Sequence, residues 1–124
     1  MRRFTVLLLC LAGVILPLSA MSPQEIRAEA NRNLAAAPGL FSALFNLGYA
    51  SYLLGDYETA LREFQTALPH AGDNLARSAV WYNMGNASFM LKKIADAVTQ
   101  YKNGLRLNPD YKELQYNYTV ARML

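Results

Sequence analysis

Apolar residues recur every three or four positions through most of the chain, a spacing that predicts amphipathic α-helices. Helix-breaking pairs such as Pro38-Gly39 and Gly55-Asp56 divide the pattern into short segments with tight turns between them. The six predicted helices span residues 22–37, 40–54, 57–68, 74–91, 94–107 and 110–124. Because short connections place consecutive helices antiparallel, the pattern predicts an all-α fold of stacked helix pairs.

Several predicted helices begin at residues that cap helices well. Ser22 is followed by Pro23 and by Glu25 three positions on, which makes a capping box. Asp56 and Asp110 stand before the third and sixth helices, where a carboxylate can accept hydrogen bonds from free backbone amides. We therefore predict Ser22, Asp56 and Asp110 as N-caps.

Two stretches of the chain carry the same order of residues. Residues 44–71 read LFNLGYASYLLGDYETALREFQTALPHA, and residues 81–108 read WYNMGNASFMLKKIADAVTQYKNGLRLN. The matching pairs, each 37 positions apart, are Asn46 and Asn83, Gly48 and Gly85, Ala60 and Ala97, and Phe64 and Tyr101. A period of this length indicates a stacked repeat, in which one helix pair cannot bury its apolar face alone.

The repeated glycines predict a close contact inside each helix pair. A glycine within a helix costs about 1 kcal/mol relative to alanine, so Gly48 and Gly85 indicate close approach by a neighbouring helix. Ala60 and Ala97 supply a small surface opposite, and the aromatic rings at the fourth matching pair fill the remaining space.

This order of residues resembles the tetratricopeptide repeat. The residues that carry the resemblance are Leu44, Leu47-Gly48, Gly55-Asp56-Tyr57, Ala60, Phe64 and Ala67 in the first copy, and Trp81, Met84-Gly85, Ala97, Tyr101 and Asn108-Pro109 in the second. The resemblance implies a short solenoid in which repeat 1 covers residues 40–72 and repeat 2 covers residues 73–109. With only two complete copies, residues 21–39 and 110–124 are expected to form N- and C-terminal capping helices.

Two departures from the family pattern affect the prediction. The copies are 37 residues apart rather than about 34, which places extra length in the loop around His70. Gly104 stands where the family commonly has alanine, so we expect a looser second layer.

The first 20 residues have the layout of a secretory signal peptide. Arg2 and Arg3 precede an uncharged apolar run from Phe4 to Leu16, and a small residue at Ala20 offers a cleavage point. The alternative is an uncleaved N-terminal anchor, although the run is short for a membrane-spanning helix. The interpretation places the remaining domain, residues 21–124, in the periplasm or cell envelope.

Composition argues against several classes of function. The chain carries a net charge of +3, but two of its cations lie in the leader and no basic cluster follows, so nucleic-acid binding is not expected. The single cysteine, Cys10, also lies in the leader, and the single histidine, His70, lies in a loop. We predict no enzyme activity, no metal site and no cofactor.

The resemblance directs attention to a concave groove, because in this family the first helix of each pair lines it. Three aromatic–asparagine pairs recur on that face, and an amide beside a ring can hold a peptide backbone and its side chains. The predicted partner-binding residues are Phe45, Asn46, Tyr49, Tyr52, Tyr82, Asn83, Asn86, Phe89, Tyr116 and Asn117. The same face carries Ser42, Leu53, Ala79, Met90, Glu113 and Val120.

The predicted function is a protein–protein interaction module with a scaffold or assembly role. Two alternatives remain open: binding of an apolar small molecule or lipid in the same groove, and self-association into a homo-oligomer through the solenoid ends. The leader, the two repeats and the terminal NPDYKELQYNYTVAR also resemble small repeat proteins of the bacterial aerotolerance (Bat) type. That resemblance implies an envelope partner with a von Willebrand factor A domain, and contact with a membrane only if the leader is retained.

Overall fold

The computed structural model describes residues 7–9 and 15–124. Short turns and one loop join six α-helices, and the predicted all-α class is confirmed. The helices are α1 (Pro23–Ala36), α2 (Phe41–Leu53), α3 (Tyr57–Ala67), α4 (Asn74–Met90), α5 (Ile94–Leu107) and α6 (Lys112–Arg122). Single turns of 3-10 helix cover Leu18–Ala20 and Leu68–His70.

The N-terminal segment contains a short antiparallel strand pair. Strand β1 (Leu7–Leu9) pairs with β2 (Ile15–Pro17), with Leu8 opposite Leu16. Arg2, Arg3 and Cys10 lie outside the described residues, so the signal-peptide interpretation stays a prediction. Among the residues that are described, no helix has the length and apolar character that a membrane crossing requires.

The helices form a linear stack in which each packs against its neighbours in sequence. α2 pairs with α3 and α4 with α5, while α3 also packs on α4 and so joins the two pairs. At the ends, α1 packs against α2 and α6 against α5, the places predicted for capping helices. This arrangement is a two-repeat solenoid, in which each unit contacts only adjacent units.

The core consists of two apolar clusters, one for each layer. Ala60 and Phe64 of α3 pack with Val80 and Met84 of α4 in the first cluster. In the second, residues of α5 pack with residues of α6; its buried members are Ala97, Tyr101, Leu114 and Ala121. Because α4 contributes to the first cluster and its side chains also cover the second, it is the central helix of the stack.

Two of the three predicted N-caps are confirmed. Ser22 and Glu25 form the capping box of α1, and Asp56 accepts a hydrogen bond from the Thr59 amide at 3.2 Å. The prediction for Asp110 is wrong. Tyr111 donates its amide to the Asn108 carbonyl at 3.2 Å, which closes a turn and puts Tyr111 in the N-cap position instead.

The close contact predicted at the glycines is confirmed. A Cβ on Gly48 would lie 2.6 Å from the Phe64 ring, and a Cβ on Gly85 would overlap the Tyr101 ring. Real Cβ atoms do not approach carbon this closely, so a methyl group at either position would displace a buried ring. Each ring therefore packs directly on the glycine of its own helix pair.

The expectation that Gly104 loosens the second layer is wrong. A Cβ there would lie 2.6 Å from Leu114 and 3.2 Å from Trp81, so the missing side chain lets α6 pack closely on α5. The Ser78 hydroxyl donates to the Gly104 carbonyl at 3.0 Å and ties α4 to the same place. The absence of a side chain at Gly104 thus allows the C-terminal capping helix α6 to pack closely against α5.

The turns within the two repeats have the same backbone shape but different residues. Gly55 has φ of 79°, and Lys92, 37 positions later, has φ of 62°. In both turns the next amide donates to a buried serine carbonyl, at 3.0 Å for Ser51 and 2.9 Å for Ser88. A lysine therefore adopts the left-handed conformation for which glycine is suited.

The two equivalent serines differ in how their hydroxyls are bonded. Ser51 accepts from the Arg27 guanidinium at 3.0 Å and donates to Glu63, which links α1, α2 and α3. The Ser88 hydroxyl is equally buried and bonds to no side chain or backbone group in the described part of the chain. The first layer is therefore held by a polar contact that the second lacks.

Candidate functional site

A pocket of about 300 Å³ lies where α2, α4, α5 and α6 meet. Its wall is aromatic and aliphatic with two carboxamides, and none of the described residues lining it carries a charge. The lining residues are Tyr52, Tyr82, Asn86, Phe89, Met90, Tyr101, Asn117 and Val120.

The first helices of successive layers bring their carboxyl ends to this pocket. Tyr52 is the second-last residue of α2, and Met90 is the last residue of α4. Val120 is the third-last residue of α6. Since the helix between each pair runs back antiparallel, α2, α4 and α6 run parallel to one another. The repeat architecture thus sets the position of these three side chains.

A hydrogen-bond network joins the two carboxamides at the pocket. The Tyr101 hydroxyl donates to Asn86 Oδ1 at 2.6 Å, and Asn117 Nδ2 donates to the same oxygen at 2.9 Å. Asn86 Oδ1 therefore uses both of its lone pairs. The network orients the two asparagines with respect to each other across α4 and α6.

The tyrosines around the pocket pack closely, and burial raises the pKa values of three of them. Tyr82 lies 5.1 Å from Tyr111 and 6.4 Å from Tyr101, measured between ring centroids. Burial raises the pKa of Tyr111 to about 12, and it also raises the pKa values of Tyr101 and Tyr52 above the ordinary value. The neighbouring Tyr82 adds to the effect in each case. These hydroxyls are neutral donors over the physiological range.

The structure brings five of the ten predicted binding residues to the pocket. They are Tyr52, Tyr82, Asn86, Phe89 and Asn117. Met90 and Val120, predicted for the same face, also line it. Whether any of these residues binds a partner stays a prediction, but their convergence on one concavity is a property of the fold.

The other five predicted residues lie elsewhere, which corrects the idea of three equivalent aromatic–asparagine pairs. The ring centroids of Phe45 and Phe64 lie 5.4 Å apart, and Tyr49 packs against the first core cluster, which contains Phe64. Asn46 is only 5% exposed, so it belongs to the interior. Asn83 Nδ2 donates a hydrogen bond to the Ala79 carbonyl of its own helix at 2.8 Å. Tyr116 is 70% exposed and lies outside the pocket.

Tyr101 is the pocket residue that sequence reasoning missed. The repeat pattern predicts only a packing role for this ring, yet its hydroxyl donates to Asn86 Oδ1 and orients that side chain. The signal was present, because the second copy has tyrosine where the first has Phe64, and a buried hydroxyl needs a partner. Asn86 stands at the position that Tyr49 occupies in the first copy.

The described residues offer no arrangement that could hold a metal ion. No three histidine, cysteine, aspartate or glutamate side chains cluster between residues 15 and 124. His70 is exposed in the loop after α3, close to Gly39. The wall of the pocket consists of aromatic rings, aliphatic side chains and two carboxamides.

The fold defines a helical-repeat protein with a concave pocket along its stack. Profiles of the tetratricopeptide repeat match residues 41–70 and 78–111, together just over half of the chain. The chain belongs to the tetratricopeptide repeat family. A comparison with curated proteins gave no match. Repeats of this family generally mediate protein–protein interactions, and proteins built from them are typically non-enzymatic scaffolds.

Proposed function

We propose that the protein is a non-enzymatic interaction module that holds an extended segment of a partner protein in the pocket between α2, α4 and α6. The observation that carries the proposal is the pair of carboxamides, Asn86 and Asn117, fixed side by side within a wall of aromatic rings. Amides and rings together recognise a peptide by its backbone and by one of its side chains.

The hydrogen-bond network leaves one donor group and one acceptor for a ligand. In residues 15–124, Asn86 Nδ2 donates to no side chain or backbone group, and Asn117 Oδ1 accepts from none. A donor beside an acceptor matches the carbonyl and the amide of an extended backbone. Because the Tyr101 hydroxyl already orients the Asn86 side chain, less conformational entropy is lost when a ligand binds.

An apolar small molecule or lipid is the less favoured ligand. The pocket, at about 300 Å³, lies at the bottom of the range for small-molecule sites, so it suits one side chain better than a long acyl chain. An apolar ligand would also cover Asn86 and Asn117 without replacing their bonds to water, and each unmade bond costs about 1–3 kcal/mol. A lipid retained through purification, visible in a native mass spectrum, would favour this alternative.

We also propose that the protein is exported and acts in the cell envelope. The proposal rests on the leader of residues 1–20 and on the likeness of the terminal segment to aerotolerance-type proteins, whose partners carry von Willebrand factor A domains. Fractionation of the native cell and N-terminal sequencing of the mature protein test it. A mature chain beginning near Met21 supports export, while a cytosolic protein that retains Met1 contradicts it.

Peptide selection against the immobilised full-length protein tests the binding role. We expect a displayed library of random peptides to give binders whose affinity falls about tenfold in Asn86→Ala and Asn117→Ala, the loss expected for one or two hydrogen bonds. Asn83→Ala is the matched control, because Asn83 lies on the same helix and bonds within it. Failure to select any binder, or equal losses in all three variants, would overturn the proposal.

A further inference from the structure

We infer that the side chain accepted by the pocket is a cation, the guanidinium of arginine or the ammonium of lysine, carried by the bound segment. This inference rests on the proposed function and adds the chemistry of the partner to it. It follows from the rings of the wall, the direction of the helices and the charges at the rim.

The wall provides four ring systems for a cation. Tyr52, Tyr82, Phe89 and Tyr101 line one pocket together with the thioether of Met90. Ring faces attract cations through their quadrupole, and the attraction grows when the cation leaves water. Burial keeps the hydroxyls of Tyr52 and Tyr101 protonated, so no phenolate forms near neutral pH and the rings act as neutral surfaces.

The backbone adds negative potential at the same place. α2, α4 and α6 all end at the pocket, which Tyr52, Met90 and Val120 line from their last turns. A helix carries about half a negative charge at its carboxyl end. The amino ends of α3 and α5 begin four residues after the ends of α2 and α4 and offset part of this potential, so the carboxyl end of α6 is the one that most favours a cation.

Glu113 is an exposed carboxylate on α6, outside the pocket lining, and forms no salt bridge with the described residues. Glu113 precedes Asn117 by four positions on α6, so the two share a face of that helix. It is near enough to Tyr111 to contribute to the raised pKa of that phenol, and Tyr111 stacks on Tyr82 of the pocket wall. No lysine or arginine of the described residues lies within salt-bridge distance of Glu113.

The charges of opposite sign lie outside the pocket. Lys92 and Lys93 are exposed in the turn after α4, and neither lines the pocket. Arg122 lies over the Tyr118 ring, 5.3 Å from its centroid, which is a contact outside the pocket lining. Water and salt screen such exposed charges, and they screen exposed Glu113 in the same way, so Glu113 adds only a small attraction to the contacts inside the pocket. The groups that directly face a ligand are therefore rings, amides and helix carboxyl ends.

Paired peptides and the full-length protein test the inference. Peptides selected on the protein are resynthesised with each arginine or lysine replaced in turn, arginine by the isosteric neutral residue citrulline and lysine by norleucine. We expect one such replacement to weaken binding about tenfold, with the loss measured by calorimetry. Glu113→Gln should weaken the charged peptide about two- to threefold and leave the neutral peptide unchanged, whereas Glu58→Gln, an exposed change on α3, should affect neither.

The outcomes separate this inference from the proposed function. If the selected peptides bind in an Asn86-dependent way but tolerate every neutral replacement, the pocket does not select a cation and the inference is wrong, while the interaction role stands. Peptides that insert an acidic side chain would overturn it in the same way. If no peptide binds, both fail together.

Discussion

Substitution of Gly48 by alanine tests whether the ring of Phe64 packs where the structure places it. The added Cβ would lie 2.6, 2.7 and 3.0 Å from three atoms of that ring, which is fully buried. Overpacking of a closed core costs about 1–3 kcal/mol, and three short contacts to one ring place this case in the upper half of that range. Alanine recovers about 1 kcal/mol of helix propensity. We therefore expect a net loss of about 1–2 kcal/mol.

The effect should reverse when the ring is removed. In a Phe64→Ala background all three contacted ring atoms are absent, so only the propensity gain remains and Gly48→Ala should be neutral or stabilising by up to about 1 kcal/mol. Urea unfolding of the wild type, both single variants and the double variant completes the cycle. The coupling energy should then be about 1–3 kcal/mol, within the range found for residues in direct contact.

The result that would refute this reasoning is a stabilising Gly48→Ala in the wild-type background. An exposed or loosely packed helical glycine behaves in that way, because alanine then improves the helix at no steric cost. Additive effects of the two substitutions would be equally damaging. Either result would mean that Gly48 and Phe64 do not contact each other.

Three further predictions follow from other contacts. Ser51→Ala should lower the free energy of unfolding by about 1 kcal/mol because it breaks two hydrogen bonds. Ser88→Ala should be neutral or stabilising, since it removes a buried hydroxyl that has no hydrogen-bond partner. Equal losses of stability in the two variants, measured by urea unfolding, would contradict this difference. Lys92→Gly should raise the free energy of unfolding by about 0.5–1 kcal/mol, and Gly55→Lys should lower it by a similar amount, since both positions have positive φ. A lower unfolding temperature for Lys92→Gly, or a higher one for Gly55→Lys, would count against this turn geometry. Burial raises the pKa of Tyr111 from 10.0 to about 12, so the stability contributed by its neutral phenol is present below pH 10 and lost as the pH rises toward 12. The midpoint of thermal unfolding should therefore fall between pH 10 and pH 12, and it should fall less in Tyr111→Phe. If the midpoint of that variant falls as steeply with pH as that of the wild type, the raised pKa of Tyr111 is contradicted.

The fold could be predicted from the sequence because local rules determine most of it. Helical spacing of apolar residues and the breaks at Pro38-Gly39 and Gly55-Asp56 located the helices to within about two residues. The repeated Gly48 and Gly85 revealed the ring contacts, since a costly residue retained twice needs a packing reason. The cap at Asp110 was mispredicted because a turn closed by Tyr111 competed with it, and sequence alone does not rank the two.

The pocket could be predicted only in part, because equivalent positions acquire different neighbours in different layers. Asn46 of the first layer is buried, whereas Asn117, its counterpart in α6, lines the pocket. Ser51 bonds to Arg27 of the non-repeated α1, whereas no side chain or backbone group of the described residues bonds to the Ser88 hydroxyl. Periodicity defines the face of a helix, but the adjoining helix decides whether that face is covered.

The measurement that tests the central claim most directly is an NMR titration of the full-length protein with a selected peptide, observing the side-chain amide signals of Asn86 and Asn117. The account predicts large, saturable shifts for these two carboxamides and little change for Asn83, which bonds within its own helix. Shifts confined to α1 or to the faces of α3 and α5 away from the pocket, with the Asn86 and Asn117 signals unmoved, would contradict it.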